Sequence, residues 1–187
     1  LDRLSTRQQE ILFGTGLMVM RLPVPAPPSC EDFHWILQPP SNTAPEDLKW
    51  YIDGSLIDPQ KPFQRVGAGM VGIAEGVPKA VAMATPPPWI DTIPGAEAWT
   101  MHAVLNMCSS LPCVTTDCLG NRRTLLVGKE TATAASRPLA RVWNAIFACC
   151  EDALLHQLDS MLTWGPAHTS WASLGTRLRS DGSPLTA

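Results

Sequence analysis

Leu48-Lys-Trp-Tyr-Ile-Asp-Gly-Ser55 is the stretch on which the fold turns. Leu48, Trp50 and Ile52 alternate with Lys49, Tyr51 and Asp53, the two-residue period of a strand with one face buried. Gly54-Ser55 is read as its end, which leaves Asp53 at the carboxyl end of a strand. Downstream, Arg65 to Ala74 (RVGAGMVGIA) reads as a second strand. Glu75-Gly76 supplies a turn, and Lys79 to Thr85 (KAVAMAT) reads as a third strand, so the two form a hairpin. Pro86, Pro87 and Pro88 stop the ladder, because proline brings no backbone donor.

Beyond the prolines the period changes. Ala96, Trp99, Thr100, Ala103, Val104 and Met107 share one face of a helix over 95–107. Pro112 to Thr116 is a short buried strand ending at Asp117, and a short helix is expected around Leu119 to Val127. The strongest stripe is Leu139, Val142, Trp143, Ile146, Phe147, Cys150 and Leu154, a helix that Ser136 can cap and whose first turn suits Pro138. Met161 to Trp164 closes the pattern as a strand before Gly165-Pro166. Three strands, a helix, a strand, two helices and a strand predict an α/β fold. The first three strands form an antiparallel meander, and the last two, each reached through helices, lie parallel to a neighbour. The sheet is therefore mixed, five-stranded and flanked by helices.

Working back from Leu48, the first 47 residues hold seven of the 18 prolines (LPVPAPPS, LQPPS, TAPED). Such spacing does not build sheets or long helices. Residues 1–47 read as a Pro-rich linker or the edge of an upstream domain, with Thr6 to Phe13 the one helical stretch. The chain of 187 residues opens on Leu and suits a fragment of something longer.

The net charge is −3 and the pI near 5.8, which excludes a protein that holds nucleic acid by bulk positive charge. The longest apolar run, Ile11 to Met20, is half the length a bilayer requires, and no signal-peptide order is visible, so no membrane partner is expected. Six cysteines with Cys149 and Cys150 adjacent make no disulfide scaffold. They read as reduced, mostly buried thiols of an intracellular protein, nuclear or cytoplasmic. Cys108, Cys113 and Cys118 stand near His102 but lack the paired C-x2-4-C spacing of a structural zinc site.

Three carboxylates stand out by position. Asp53 and Asp117 end strands, and Glu97 lies in the first turn of the first helix. Ligand crevices of open α/β sheets lie outside the carboxyl ends of strands. Carboxylates gathered there repel one another unless a cation sits among them, and hard oxygen donors suit Mg2+. Each also has an ordinary explanation: Asp favours turns, and Glu near a helix start is favoured by the dipole.

The runs YIDGS, GAGMV, GAEAWTMHAVL, VTTDCLGN and WGPAH, in this order, resemble a ribonuclease H type 1 domain over about residues 48–170. That family has a strand closing in Asp-Gly-Ser, Ala-Glu opening the first helix, Thr/Ser-Asp closing the fourth strand, and His in the loop after the fifth. Asp53, Glu97, Asp117 and His168 fall at those places. The acid order differs from that of integrases and transposases of the same superfamily, where the Glu comes last, and a related exonuclease or integrase-type nuclease is the weaker alternative. RPLARVWNAIF followed by WGPAHTS is similar to domains that end retroelement reverse transcriptases, which implies an upstream polymerase as a possible partner in one polyprotein.

The resemblance implies metal-dependent endonucleolytic cleavage of the RNA strand of RNA/DNA hybrids, with two Mg2+ (or Mn2+) and 5′-phosphate products. Asp53 would bridge both ions, Glu97 and Asp117 would each hold one, and His168 would assist proton movement or product release. Gly54, Ser55, Asn106 and Asn121 would lie along the hybrid. Arg122 and Arg123, with Lys129, Arg137 and Arg141, would form a phosphate-contacting patch or an ordinary solvated face. Trp50, Trp99, Trp143 and Trp164 are expected in the core, and Trp89 and Trp171 at the surface as stacking candidates.

The sequence departs from the family at its carboxyl end. No Asn-x-x-Ala-Asp sequence opens a last helix, and Asp181, in Ser-Asp-Gly-Ser-Pro, reads as a solvated turn. The domain over 48–187 thus reads as truncated. The alternative to a ribonuclease is a catalytically impaired binding or tethering module.

Overall fold

The computed structural model describes residues 6, 9, 10, 33–57, 65–150, 153, 155–167 and 175–185. The elements are β1 (His34–Leu37), a 3-10 turn (Pro45–Asp47), β2 (Lys49–Ile57), β3 (Arg65–Ala74), β4 (Val77–Ala84), α1 (Ile93–Met107), β5 (Cys113–Thr116), α2 (Leu119–Leu126), α3 (Lys129–Ala132), α4 (Ala140–Cys149), α5 (Leu155–Met161) and β6 (Leu162–Trp164). The chain is α/β with a mixed sheet in the order β1-β4-β3-β2-β5-β6.

The expected meander is present: β2 pairs antiparallel with β3, and β3 with β4. β5 lies parallel to β2, and β6 parallel to β5. The β3–β4 turn has Glu75 at φ 53° and Gly76 at φ 74°. Two positive φ values are what a tight turn needs to match the twist of its strands.

The sheet has six strands where five were expected. The sixth, β1, comes from the segment read as a Pro-rich linker, and it pairs antiparallel with β4 through an irregular register. It is too short to show a period: HWIL is four residues of near-continuous apolar character between proline clusters. What holds it is tertiary. Phe33 stacks on Trp99 of α1 with ring centroids 5.0 Å apart, and an edge strand tolerates nearby prolines. Of the helix expected over Thr6–Phe13, only Thr6, Gln9 and Glu10 are described, and all three are helical.

A second difference bears on the site. β2 does not stop at Gly54-Ser55 but runs on to Ile57, with Asp53 opposite Gly69, Gly54 opposite Ala68 and Ser55 opposite Gly67. The small residues of β3 let the ladder continue. The pairing of β2 with β5 ends earlier, at Tyr51 opposite Thr115. Extending that register by two residues brings Asp117 level with Asp53, where the two strands part.

The core lies between the sheet and the helices. Trp50 and Ile52 of β2, with Val66, Ala68 and Met70 of β3, are buried on the sheet against which α1 packs. The indole of the fully buried Trp50 donates to the Pro45 carbonyl at 2.8 Å, so the 3-10 turn satisfies its one polar atom. α1 packs on β2, β3 and α4, α2 on α5, and α3 on α4. In α4, Val142, Trp143, Ile146 and Phe147 are buried, as their spacing predicts. Its start differs from expectation: the helix begins at Ala140 after Leu139, without a side-chain cap, and Ser136 and Pro138 lie in the turns before it. Trp50, Trp99 and Trp143 are buried and Trp164 is half-buried. Trp89 is exposed, with the Arg141 guanidinium 4.6 Å above its ring. Trp171 lies outside the described residues.

The thiols are less uniformly buried than expected. Cys150 is buried and Cys108 and Cys118 are half-buried, whereas Cys113 and Cys149 are exposed; all five are free. Cys113 is the exposed first residue of a strand whose other three residues are buried, and Cys149 is the exposed last residue of its helix. No helix among the described residues is long and apolar enough to cross a membrane.

Candidate metal centre

α1 delivers Glu97 just past its first turn rather than within it, because the helix begins at Ile93. Thr92 caps the helix, its hydroxyl accepting from the Gly95 N–H at 3.3 Å, and Pro94 suits the first turn. The helix start lies tight against β2. A β-carbon at Gly54 would stand 2.7 Å from the Ile93 carbonyl oxygen and 3.3 Å from the Ala96 methyl, so only glycine permits the approach. That approach seats Glu97 beside Asp53.

Asp117 follows β5 directly. Its backbone carbonyl accepts from the Trp164 indole N–H at 2.9 Å, and Gly165 N–H donates to the Thr116 carbonyl at 3.0 Å, so β6 holds the strand end in place. The result is a cluster in which one carboxylate oxygen each from Asp53, Glu97 and Asp117 lies within 4.8 Å of the other two. Asp53 and Asp117 are exposed, and Glu97 is 1% exposed.

Glu97 carries the electrostatic strain of the cluster. Burial pushes its pKa up to about 7, and the neighbouring charges of Asp117 and Asp53 push the same way. The Thr116 hydroxyl, which donates to Glu97 Oε2, and the Cys118 N–H work against that rise and do not cancel it. A buried carboxylate beside two others is a group for which a cation supplies what the protein does not. The donor set fits a hard divalent ion. Two ligands on one octahedral Mg2+ at about 2.0–2.1 Å stand about 3–4 Å apart, the scale of this cluster. Thiol ligation does not enter: the thiols of Cys108 and Cys118 are pushed up by burial, and among the described residues no cysteine joins a metal-ligating group.

The remaining residues singled out in the sequence fall in several places. Ser55 is exposed two positions beyond Asp53, and Arg123 is exposed on α2. Arg122 pairs with Asp159 of α5. Asn121 is buried, and its side-chain amide donates to the Pro94 carbonyl at 3.0 Å, tying the start of α2 to the start of α1. Asn106 stands nine residues after Glu97, about 13 Å along the helix, where it bonds His102 Nε2 at 3.0 Å and accepts from Cys149 Sγ at 3.4 Å. His168 lies outside the described residues. Asp181 takes no part in the cluster: its Oδ1 accepts from the Ser183 N–H at 2.9 Å and hydroxyl at 2.6 Å, closing its own turn.

Two contributors escaped sequence reasoning. Thr116 braces Glu97, and the signal was the hydroxyl residue directly before a strand-ending Asp. Arg179 lies at the rim of the cluster, and nothing in its local sequence places it there.

No protein-family model matches the chain, and no curated protein is significantly similar to it.

Proposed function

We propose that the chain is a divalent-cation-dependent nuclease that hydrolyses the RNA strand of RNA/DNA hybrids, with an RNase H-like fold. The observation that carries this reading is the convergence of Asp53, Glu97 and Asp117 within 4.8 Å where β2 and β5 part beneath the start of α1. The acid order Asp, Glu, Asp, and a sheet of three antiparallel strands continued by two parallel ones, support it alongside the resemblance in sequence.

In this reading Asp53, Glu97 and Asp117 hold Mg2+, two ions by the resemblance, with Mn2+ as a substitute. The cation supplies an activated water and stabilises the leaving oxygen. The chain's own residues set the geometry. Thr116 and the Cys118 N–H orient Glu97, the Trp164 indole fixes the backbone at Asp117, and Gly54 lets α1 close on β2. Ser55 and Arg123 are exposed positions from which the hybrid backbone can be contacted. The 2′-hydroxyl is the group that separates RNA from DNA for such a site. An upstream polymerase in the same polyprotein is the partner this reading implies.

A second reading is favoured by one observation. Among the described residues the cluster holds three carboxylates, and Asp181 is committed to its own turn rather than to the cluster. A non-catalytic module that binds or tethers nucleic acid would keep the cluster without turnover.

The two separate on an end-labelled hybrid incubated with Mg2+, beside single-stranded RNA and duplex DNA. The ribonuclease reading predicts cuts in the RNA strand of the hybrid alone, lost on chelation and in Asp53→Asn. Binding without cuts in either metal would give the position to the module.

A further inference from the structure

The cation cluster opens into a cleft of about 240 Å3. Asp53, Asp117 and Thr116 line it together with Arg179 and Leu185 of the segment 175–185. That segment is pinned to the end of β6. Ser180 N–H donates to the Trp164 carbonyl at 2.9 Å, Ser180 Oγ accepts from the Trp164 N–H at 2.8 Å, and Leu178 bridges Pro184. Arg179 sits inside this turn, its own N–H donating to the Ser183 carbonyl at 2.9 Å. Its side chain crosses Gly165: a β-carbon there would lie 3.9 Å from Arg179 Cγ.

The Arg179 Nε is buried and has no hydrogen-bond partner. That Nε is covered by protein, so an anion in the cleft would be met by the terminal amino groups of the guanidinium. The acids of the same cleft call for a cation. One ligand answers both: a phosphodiester whose non-bridging oxygens reach the guanidinium fork on one side and the cation held by Asp53 and Asp117 on the other. A carboxylate cluster repels a nucleic-acid backbone, and a fixed arginine in the same cleft offsets that repulsion.

We propose that Arg179 is a phosphate-contacting residue that seats a backbone phosphodiester of the bound nucleic acid against the metal centre. This rests on the proposed nuclease reading. It gives the segment 175–185 a role in supplying a positive group on the substrate side rather than a metal ligand.

The test uses the full chain as wild type, Arg179→Ala and Arg179→Lys, each shown folded by its thermal transition. Hybrid affinity is measured in Ca2+ against salt, kcat and KM in Mg2+, and Mn2+ affinity without nucleic acid. The expected result for Arg179→Ala is hybrid affinity lower by about tenfold, a salt slope shallower by about one, a raised KM and unchanged Mn2+ affinity. Arg179→Lys recovers the slope but only part of the affinity, since the fork is lost. Unchanged affinity and slope in Arg179→Ala overturn the proposal. Tighter Mn2+ binding with hybrid binding unmoved also overturns it and makes Arg179 a stand-in cation for the acids. A wild type that binds hybrid without cutting, with the slope change intact, sinks the nuclease reading and leaves the phosphate contact standing. A wild type that neither binds nor cuts overturns both.

Discussion

At its amino end α1 buries Glu97 between Asp53, Asp117 and Thr116, with charge that the protein leaves uncompensated. Nine residues on, toward its carboxyl end, Asn106 bonds His102 one turn back and accepts from Cys149 Sγ of α4. The His102 pKa is lowered by burial alone, with no charged neighbour contributing. Both ends hold polar groups that a composition count would score alike. The difference is that the hydrogen bonds at the carboxyl end leave no charge behind, whereas those that the Thr116 hydroxyl and the Cys118 N–H give Glu97 do not offset its burial and the charges of Asp117 and Asp53. A polar cluster that satisfies itself is structure, whereas one that remains strained after every protein contact has been made points to something bound.

The comparison breaks most readily at the exposed acids. Asp117→Asn keeps the shape and removes a charge, so hybrid cleavage falls by at least about 100-fold while the far-ultraviolet circular dichroism is unchanged. Retained cleavage would remove Asp117 from the centre.

The strain on Glu97 predicts an unusual pH dependence. Its folded pKa is raised to about 7 from 4.5, so between these values the folded state binds more protons than the unfolded one. Stability of the metal-free chain therefore falls as pH rises from about 4.5 to 7 and levels off above, with a ceiling of about 3 kcal/mol. Mg2+ restores stability at neutral pH, and Glu97→Gln flattens the slope. Urea midpoints across this range, with and without Mg2+, check the sign; a midpoint rising with pH and owed to Glu97 would refute it.

Gly54→Ala tests how the amino end is assembled. Its methyl meets the Ile93 carbonyl, which is backbone and yields only if α1 moves. The expected loss is about 2 kcal/mol of stability, with weaker Mn2+ binding because Glu97 shifts relative to Asp53. Thermal unfolding and a Mn2+ titration read both effects.

The smallest effect belongs to the carboxyl end. Asn106→Ala removes two surface hydrogen bonds and should cost about 1 kcal/mol or less. Cleavage should stay within about twofold, because Asn106 lies about 13 Å from Glu97 along the helix. A large drop in turnover with stability unchanged would place it on the nucleic-acid path.

Much of this was legible in the residues because it is periodic or local. Alternation in β2 and β3, the Glu75-Gly76 turn, and the stripe of α4 are each written in consecutive positions. Asp53, Glu97 and Asp117 were legible from their nearness to a strand end or a helix start, though not in exact place: Asp53 lies inside β2, which runs on to Ile57, and Glu97 lies past the first turn of α1. What stayed hidden depends on distant partners. β1 is four residues held by Phe33 on Trp99 and by the edge of β4. The continuation of β2 past Gly54 is set by the small residues across the ladder, and the place of Arg179 by Trp164 binding Ser180. Asn121, expected along the hybrid, is a buried tie between two helix starts.

The central claim, that the three carboxylates form one divalent-cation site, is tested most directly by titrating Mn2+ into the metal-free chain and following the free ion by electron paramagnetic resonance. The account predicts saturable binding at neutral pH that weakens as pH falls below about 7, competes with Mg2+, and drops by more than about tenfold in Asp53→Asn and in Glu97→Gln. Absence of a saturable site in the folded chain, or one indifferent to both substitutions, would contradict it.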